Sequence, residues 1–270
     1  MNPAGYIALS YWDLVLAALL ILINGALSIA FRLGLERSLL IAAARMVVQL
    51  AAVGLVLTFV FAQTSPLWTV GLGLIMVAFA GREVMARQTR RIRGWLAYGL
   101  GTGTLLFVGL IAVLFGVGVL IGPEPWYSPR FALPILGMIL GNTLTGISLG
   151  METLTSAAER ERAAIEARIA LGSPRFEALS GVIRQAMKTG MMPIINAMAA
   201  TGIVALPGMM TGQILAGIDP VEATQYQVLI MFLIAGSTAL GTFLAVIGGA
   251  RLLTDERHRL RLDRLAKAAS

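Results

Sequence analysis

Long apolar stretches and short polar ones alternate along the whole chain, and every second polar stretch is strongly basic. The apolar runs cover roughly 11–30, 39–61, 66–81, 96–121, 131–150, 191–216 and 226–250, the third being the shortest. Most reach the ~20 residues with which a helix crosses about 30 Å of hydrocarbon. Lipid supplies no hydrogen-bond partners, so such runs must satisfy their backbone groups internally, and helices do this. The pattern predicts an all-α, polytopic membrane protein of seven transmembrane helices, with residues 1–270 forming a single transmembrane domain.

The polar stretches fix an orientation. Arg32 and Arg37 lie in the first; Arg82, Arg87, Arg90, Arg91 and Arg93 in the third. Residues 151–190 carry Arg160, Arg162, Arg168, Arg175, Arg184 and Lys188. The tail, 251–270, carries Arg251, Arg257, Arg259, Arg261, Arg264 and Lys267. Of the 21 Lys and Arg only Arg45, inside a span, and Arg130 fall elsewhere. Basic loops stay on the cytoplasmic side, so the N-terminus is expected outside and the C-terminus inside.

Composition agrees. The chain is 57% hydrophobic and 13% charged, with a mean hydropathy of +0.82, more apolar surface than a water-soluble chain of this length can cover. With no cysteine, disulfides and thiolate metal sites are excluded. The net charge of +7 follows from loop placement and attraction to anionic membrane lipid, so nucleic acid is not an expected partner. His258 stands between Arg257 and Arg259 and reads as a solvated tail residue. The opening MNPAGYIALSYWD has no basic segment before its apolar run, so the first span is expected to persist in the mature protein.

One stretch breaks the apolar pattern. SAAERERAAIEARIALGSPRFEAL, residues 156–179, is charged and rich in helix formers. Ser156 and Glu159 have capping-box spacing, Ile165 and Ile169 share a face, and Arg162 and Glu166 stand one turn apart. Gly172-Ser173-Pro174 then stops the helix and a second begins near Arg175. The expectation is a cytoplasmic helix–turn–helix hairpin, about 156–188, projecting from the membrane.

Glu166-Ala167-Arg168, three residues, Gly172, nine residues and then Val182 resemble the E-A-A-x3-G-x9-I-x-L-P loop of ABC importer permeases. Arg168 replaces the second alanine, and Arg184-Gln185 replaces Leu-Pro. Residues 190–235, with LPGMMTGQILAGIDP at their centre, resemble the FetB/YbbM-type permeases implicated in iron export, a family with similar plant proteins acting in aluminium tolerance. ARMVVQLAAVGLVL (44–57) and GMILGNTLTGISLG (137–150) extend that likeness. The resemblance implies the membrane subunit of an ABC transporter in the bacterial inner membrane, working as a homodimer. Glu166, Ala167, Gly172 and Ser173 would couple it to a separate ATPase subunit. The chain has no G-x4-G-K-[ST] loop, so it is expected to be no enzyme and to bind no cofactor, with ATP and Mg held by the partner.

Candidate pathway residues are polar positions within spans. Arg45, with Gln49 one turn further in, is an intramembrane charge and thus a functional candidate, although its depth also allows it to snorkel. Asn142 lies mid-span, with Thr145 and Ser148 near its face; it either lines a pathway or bonds to a neighbouring helix. Gly137, Gly141 and Thr145 suggest close helix packing. Pro207-Gly208 predicts a break in the sixth span, with Thr211 and Gln213 placed to satisfy the freed backbone groups. Met187, Met191, Met192, Met198, Met209 and Met210 favour adaptable packing over a soft-metal site. No Asp, Glu, His or Cys lies in the interior of a span, Asp13 standing at the outer edge of the first, which leaves bare iron without its preferred ligands and suits an anionic complex better. A permease for an organic anion such as a sugar nucleotide, or a receptor or scaffold without transport, are the alternatives.

Overall fold

The computed structural model describes residues 10–63, 65–88 and 90–266. Residues 1–9 and Lys267 lie outside that set. The described residues are helical almost throughout and contain no strand, only isolated bridges. Ten α-helices follow in order: α1 Tyr11–Ala30, α2 Glu36–Phe61, α3 Pro66–Ala86, α4 Trp95–Val113, α5 Pro129–Arg160, α6 Arg162–Ala170, α7 Arg175–Ala178, α8 Ser180–Ala200, α9 Gly208–Leu215 and α10 Pro220–Leu252. A π-helical stretch, Leu114–Ile121, continues α4 and closes on left-handed Gly122.

Local chemistry sets several starts. Ser10 and Asp13 form a capping box on α1. Ser65 and Asp219 cap α3 and α10, with Pro66 and Pro220 at the first helical position, where a missing N–H costs nothing.

Six helices are long and apolar enough to cross a membrane: α1, α2, α3, α4 with its π-helical extension, α5 and α10. The sixth apolar run, expected at 191–216, is not one helix. α8 begins at Ser180 and ends at Ala200. Gly202 adopts φ +95° and donates its N–H to Ala205 O (2.9 Å), and the helix resumes only at Gly208. Pro207, which has no N–H to give, stands at the end of this interruption.

Two compact units emerge. The first contains α1 and α2 with Gly212–Ile218; the second contains Ser65–Thr211 and the chain from Asp219 onwards. In the second, α5 is the central rod, packed against α3, α4, α8 and α10. Ile135, Ile139, Ile194, Ile230 and Ile234 fill one core cluster. A larger one runs from Leu105 and Leu144 through Ile147, Leu154 and Val246 to Ile165, Leu179 and Leu253.

Glycines let α5, α8 and α10 approach closely. A Cβ on Gly190 would lie 2.6 Å from the Gly146 carbonyl oxygen, and one on Gly146 would lie 2.6 Å from Thr242 Oγ1. A Cβ on Gly241 would collide with the Thr143 methyl. The expected Gly137–Gly141–Thr145 series is not this seam. Gly137 faces Met76 on α3, and Gly141 has open space beside it. Thr143, Thr238 and Thr242 are buried at the seam, and their hydroxyls have no hydrogen-bond partner.

At one end of the second unit three basic segments meet. Arg93 N–H donates to Arg264 O (2.8 Å) and Ala266 N–H to Arg91 O (2.9 Å), while Arg90 pairs with Glu159. The tail is therefore folded, with Glu256 to Arg259 exposed on it. Its turn closes on Asp255, whose carboxylate accepts from Arg257 N–H (3.0 Å) and Arg259 N–H (2.9 Å). The Arg259 N–H chiefly holds the Asp255 carboxyl below its ordinary range, against the opposing effect of burial. A bidentate fork from Arg261 (2.9 and 2.8 Å) holds Asp263 down at about 2.

Candidate functional site

The charged element begins later than its sequence suggests. Ser156 is not a cap. It lies inside α5 and its hydroxyl donates to Glu152 Oε1 (3.1 Å), so the helix runs on to Arg160. With Glu159 drawn to Arg90, the capping-box pairing does not form. The element proper is α6, a turn, and α7 leading into α8.

α6 is amphipathic with a purpose visible in the packing. Ile165 is 1% exposed and Ile169 packs beside it, anchoring the helix to the core below. Such burial contributes roughly 1.5–3 kcal/mol for a fully covered isoleucine. Its flank carries Arg162 and Glu166, paired at 2.8 Å, and Ala167 is exposed further round. The turn is a Schellman arrangement. Gly172, at φ +96°, donates to Ile169 O (2.9 Å), and Ser173 N–H donates to Arg168 O (3.0 Å). A side chain at such φ costs roughly 1–2 kcal/mol, so glycine belongs here.

Arg168 bridges the two arms, donating from Nη1 to Ala178 O (3.2 Å). The element does not stand free of the tail. Arg175 N–H donates to Nδ1 of His258 (3.2 Å), and the guanidinium groups of Arg175 and Arg251 flank the Phe176 ring at 5.3 and 5.8 Å. His258 is thus a solvent-exposed tail residue, as expected, that also serves as a structural acceptor. Leu171, 88% exposed at the tip beside Gly172, is the apolar contact that periodicity did not single out. The result is a surface of Glu166, Ala167, Leu171 and Gly172, with Ser173 half-buried behind it, held rigidly from below.

The candidate pathway residues divide between the two units. Arg45 and Gln49 occupy exposed positions one turn apart on α2, in the first. Asn142 is on α5, in the second, at an exposed position, and its amide donates back to Met138 O (2.8 Å). Thr145 likewise donates to Gly141 O (3.0 Å). Ser148 turns to the buried side, its hydroxyl without a partner, and so does not share the face of Asn142.

Pro207 and Gly208 lead into α9, where Thr211 donates to Pro207 O (3.2 Å). Gln213 leaves its buried Oε1 without a partner. The methionines scatter. Met187 packs against the large core cluster and Met209 against the smaller one, while Met192 and Met198 are exposed. Among the described residues no group of three or more His, Cys, Asp or Glu is placed to hold a metal ion.

Residues 11–253 match the family model described as "Uncharacterised protein family (UPF0014)". The chain is 38% identical to the UPF0014 membrane protein slr1647 of Synechocystis sp., over 78% of this chain and 80% of that one. It is 29% identical to the "Probable iron export permease protein FetB" of Escherichia coli, covering 94% of this chain and 96% of that one. Against the protein ALUMINUM SENSITIVE 3 of Arabidopsis thaliana it is 29% identical, over 84% and 81%. No solved structure matches it.

Proposed function

This chain belongs to the UPF0014 family, is an integral multi-pass membrane protein, and from that premise we propose that it is the permease subunit of an ABC transporter. A separate ATPase supplies the energy, binding ATP and Mg. The observation that carries this reading is the α6–Gly172–α7 element, clamped to the core through Ile165 and Leu179 while Glu166, Ala167 and Leu171 face outward. Such a surface suits a partner that pushes on it.

The mechanical route follows from α5. Its 32 residues span roughly 48 Å at about 1.5 Å per residue, well beyond a bilayer core of about 30 Å. α6 follows it after a single residue, Glu161. Displacement of the docked element therefore moves the central rod of the second unit. ATP binding would close the ATPase pair, shift α5 and open the pathway to the opposite side. The interruption at 201–207 absorbs part of the change.

We read seven crossings, with the N-terminus outside and the basic end cytoplasmic, in the bacterial inner membrane. What supports a return crossing between them is that α5 ends, α8 begins and α10 ends at the basic end. The whole chain acts as one transmembrane domain. Two copies with two ATPases are the simplest assembly, since an ABC transporter needs two membrane halves.

The cargo is iron or an iron complex, as the name of the Escherichia coli relative suggests. One observation favours a second reading: no carboxylate or imidazole group is gathered for a metal among the described residues, whereas Arg45 would suit an anion, whether chelated iron or a sugar nucleotide. The test is reconstitution of the permease with its ATPase and measurement of ATP hydrolysis against free ferrous iron, chelated iron and sugar nucleotides. Stimulation by an iron species supports the iron assignment. Stimulation by sugar nucleotides alone would replace it, and a chain that binds no ATPase would end the transporter reading.

A further inference from the structure

The outward face of α8 carries a feature that coupling does not use. Ser180, Arg184, Met187, Lys188, Met191 and Ile195 recur at helical spacing along it, and with Phe176 and Ile247 they line an open groove of about 550 Å³. The lining is divided by chemistry. Arg184 and Lys188 sit at the end nearest α7, where the basic segments meet, and both are exposed. Neither makes an ion pair or a side-chain hydrogen bond among the described residues. Beside them lie Ile183, Met187 and Ile247, and beyond them Met191 and Ile195, so the remaining wall is thioether and hydrocarbon apart from Ser180.

The dimensions match one kind of ligand. From Arg184 to Ile195 is eleven residues, roughly 16 Å of helix at about 1.5 Å per residue, close to half of a bilayer core of about 30 Å. A pair of cations at the headgroup level, followed by an apolar trough of roughly 10 Å from Lys188 to Ile195, complements a molecule with an anionic head and a hydrocarbon tail. Unbranched thioether side chains adapt to such a chain without imposing a fixed shape. Arg184 stands where the coupling-loop pattern of ABC importers has the leucine of Leu-Pro, so this is a position at which the chain departs from that pattern.

We propose that this groove binds an anionic phospholipid of the cytoplasmic leaflet. Arg184 and Lys188 hold the phosphate, and an acyl chain lies along Met187, Met191 and Ile195 against Ile247. A negative leaflet surface draws such residues even before specific contact. The site rests on the chain being membrane-embedded with its basic end inside, and not on transport. It would survive loss of the ATPase reading.

The test uses the full chain in detergent, titrated with phosphatidylglycerol or phosphatidylcholine and followed by native mass spectrometry. Phosphatidylglycerol should bind at least tenfold more tightly than phosphatidylcholine. The Arg184→Ala/Lys188→Ala double variant should lose that preference, and Arg184→Lys/Lys188→Arg should keep most of it. Met191→Trp, which fills the trough and leaves the charges, should weaken both lipids. Inorganic phosphate at millimolar concentration should fail to displace phosphatidylglycerol. Displacement by phosphate alone would make this a free-anion site and overturn the proposal. So would equal binding of the two lipids, an unchanged preference in the double alanine variant, or a shift from dimer to monomer in Met191→Trp, which would assign the groove to a second copy.

Discussion

The backbone N–H of Arg175 donates to Nδ1 of His258, across 83 residues of sequence, at 3.2 Å. The first residue of α7 is thereby tied to the tail, and Phe176 beside it lies between Arg175 and Arg251. Nδ1 must carry its lone pair to accept, so the imidazole hydrogen lies on Nε2. His258→Ala removes the acceptor and leaves an exposed N–H that water can serve, a loss of roughly 0.5–1.5 kcal/mol. Hydrogen exchange should then quicken in residues 172–180 and 253–262 while the spans stay protected. Unchanged exchange in 172–180 would show that the tie carries no strain or support.

That tie changes how the docking surface is tested. Deleting residues 256–270 would also remove a support of α7, so it cannot separate tail from hairpin, and point variants can. Gly172→Leu forces a side chain onto φ +96° and Glu166→Arg reverses an outward charge. Both should leave the permease inserted while reducing ATPase co-purification or uncoupling hydrolysis from transport. Leu171→Ser should weaken docking without backbone strain. Normal transport in all three would remove this surface from consideration.

For the topology, accessible cysteines at residues 125 and 219 should label from outside, and those at 88, 165 and 262 only after permeabilisation. Residue 64, beyond the described residues, should label outside with the first pair. A single site on the wrong side redraws the crossings around it.

Much of this was legible because lipid imposes so simple a rule. Uncharged runs of about 20 residues must be helices, and α1 and the fourth span needed nothing more. The failures have local causes. Ser156 and Glu159 carry a start signal, but each finds another partner, Glu152 and Arg90, so α5 runs through. α8 hid because Arg184 and Lys188 interrupt the apolar pattern over its first turns, while the true break falls after Ala200. The role of His258 depends on a contact across 83 residues, which periodicity cannot register. Gly146 and Gly190 look like any other glycines until the helices that cross there are known.

Gly190 is the sharper test of that crossing. An alanine there would press against the Gly146 carbonyl oxygen at 2.6 Å, backbone that cannot rotate away. Overpacking of this kind typically costs about 1–3 kcal/mol, so Gly190→Ala should lower the thermal midpoint in detergent. Gly181→Ala, with nothing within 4 Å, should not. Equal midpoints for the two would mean that the helices have room to part.

The role of Arg45 is decided by comparing substitutions. If it meets an anionic cargo, Arg45→Gln should lower apparent affinity roughly tenfold or more, the equivalent of about 1.5–3 kcal/mol for a charge-assisted bond. Arg45→Lys should do less harm, keeping charge but losing the planar fork. A side chain that only reaches for the headgroups leaves affinity unchanged in both. Free ferrous iron acting with normal affinity on Arg45→Gln would retire the anion reading.

Thr143, Thr238 and Thr242 meet at the crossing of the central helices with their hydroxyls unbonded. A joint stitched by hydrogen bonds has a preferred register and resists sliding until those bonds break. At this one none of the three hydroxyls contributes a bond that sets the register of α5 against its two neighbours. The joint is keyed rather than stitched: side chains seated against glycines hold it, so its register is set by shape alone.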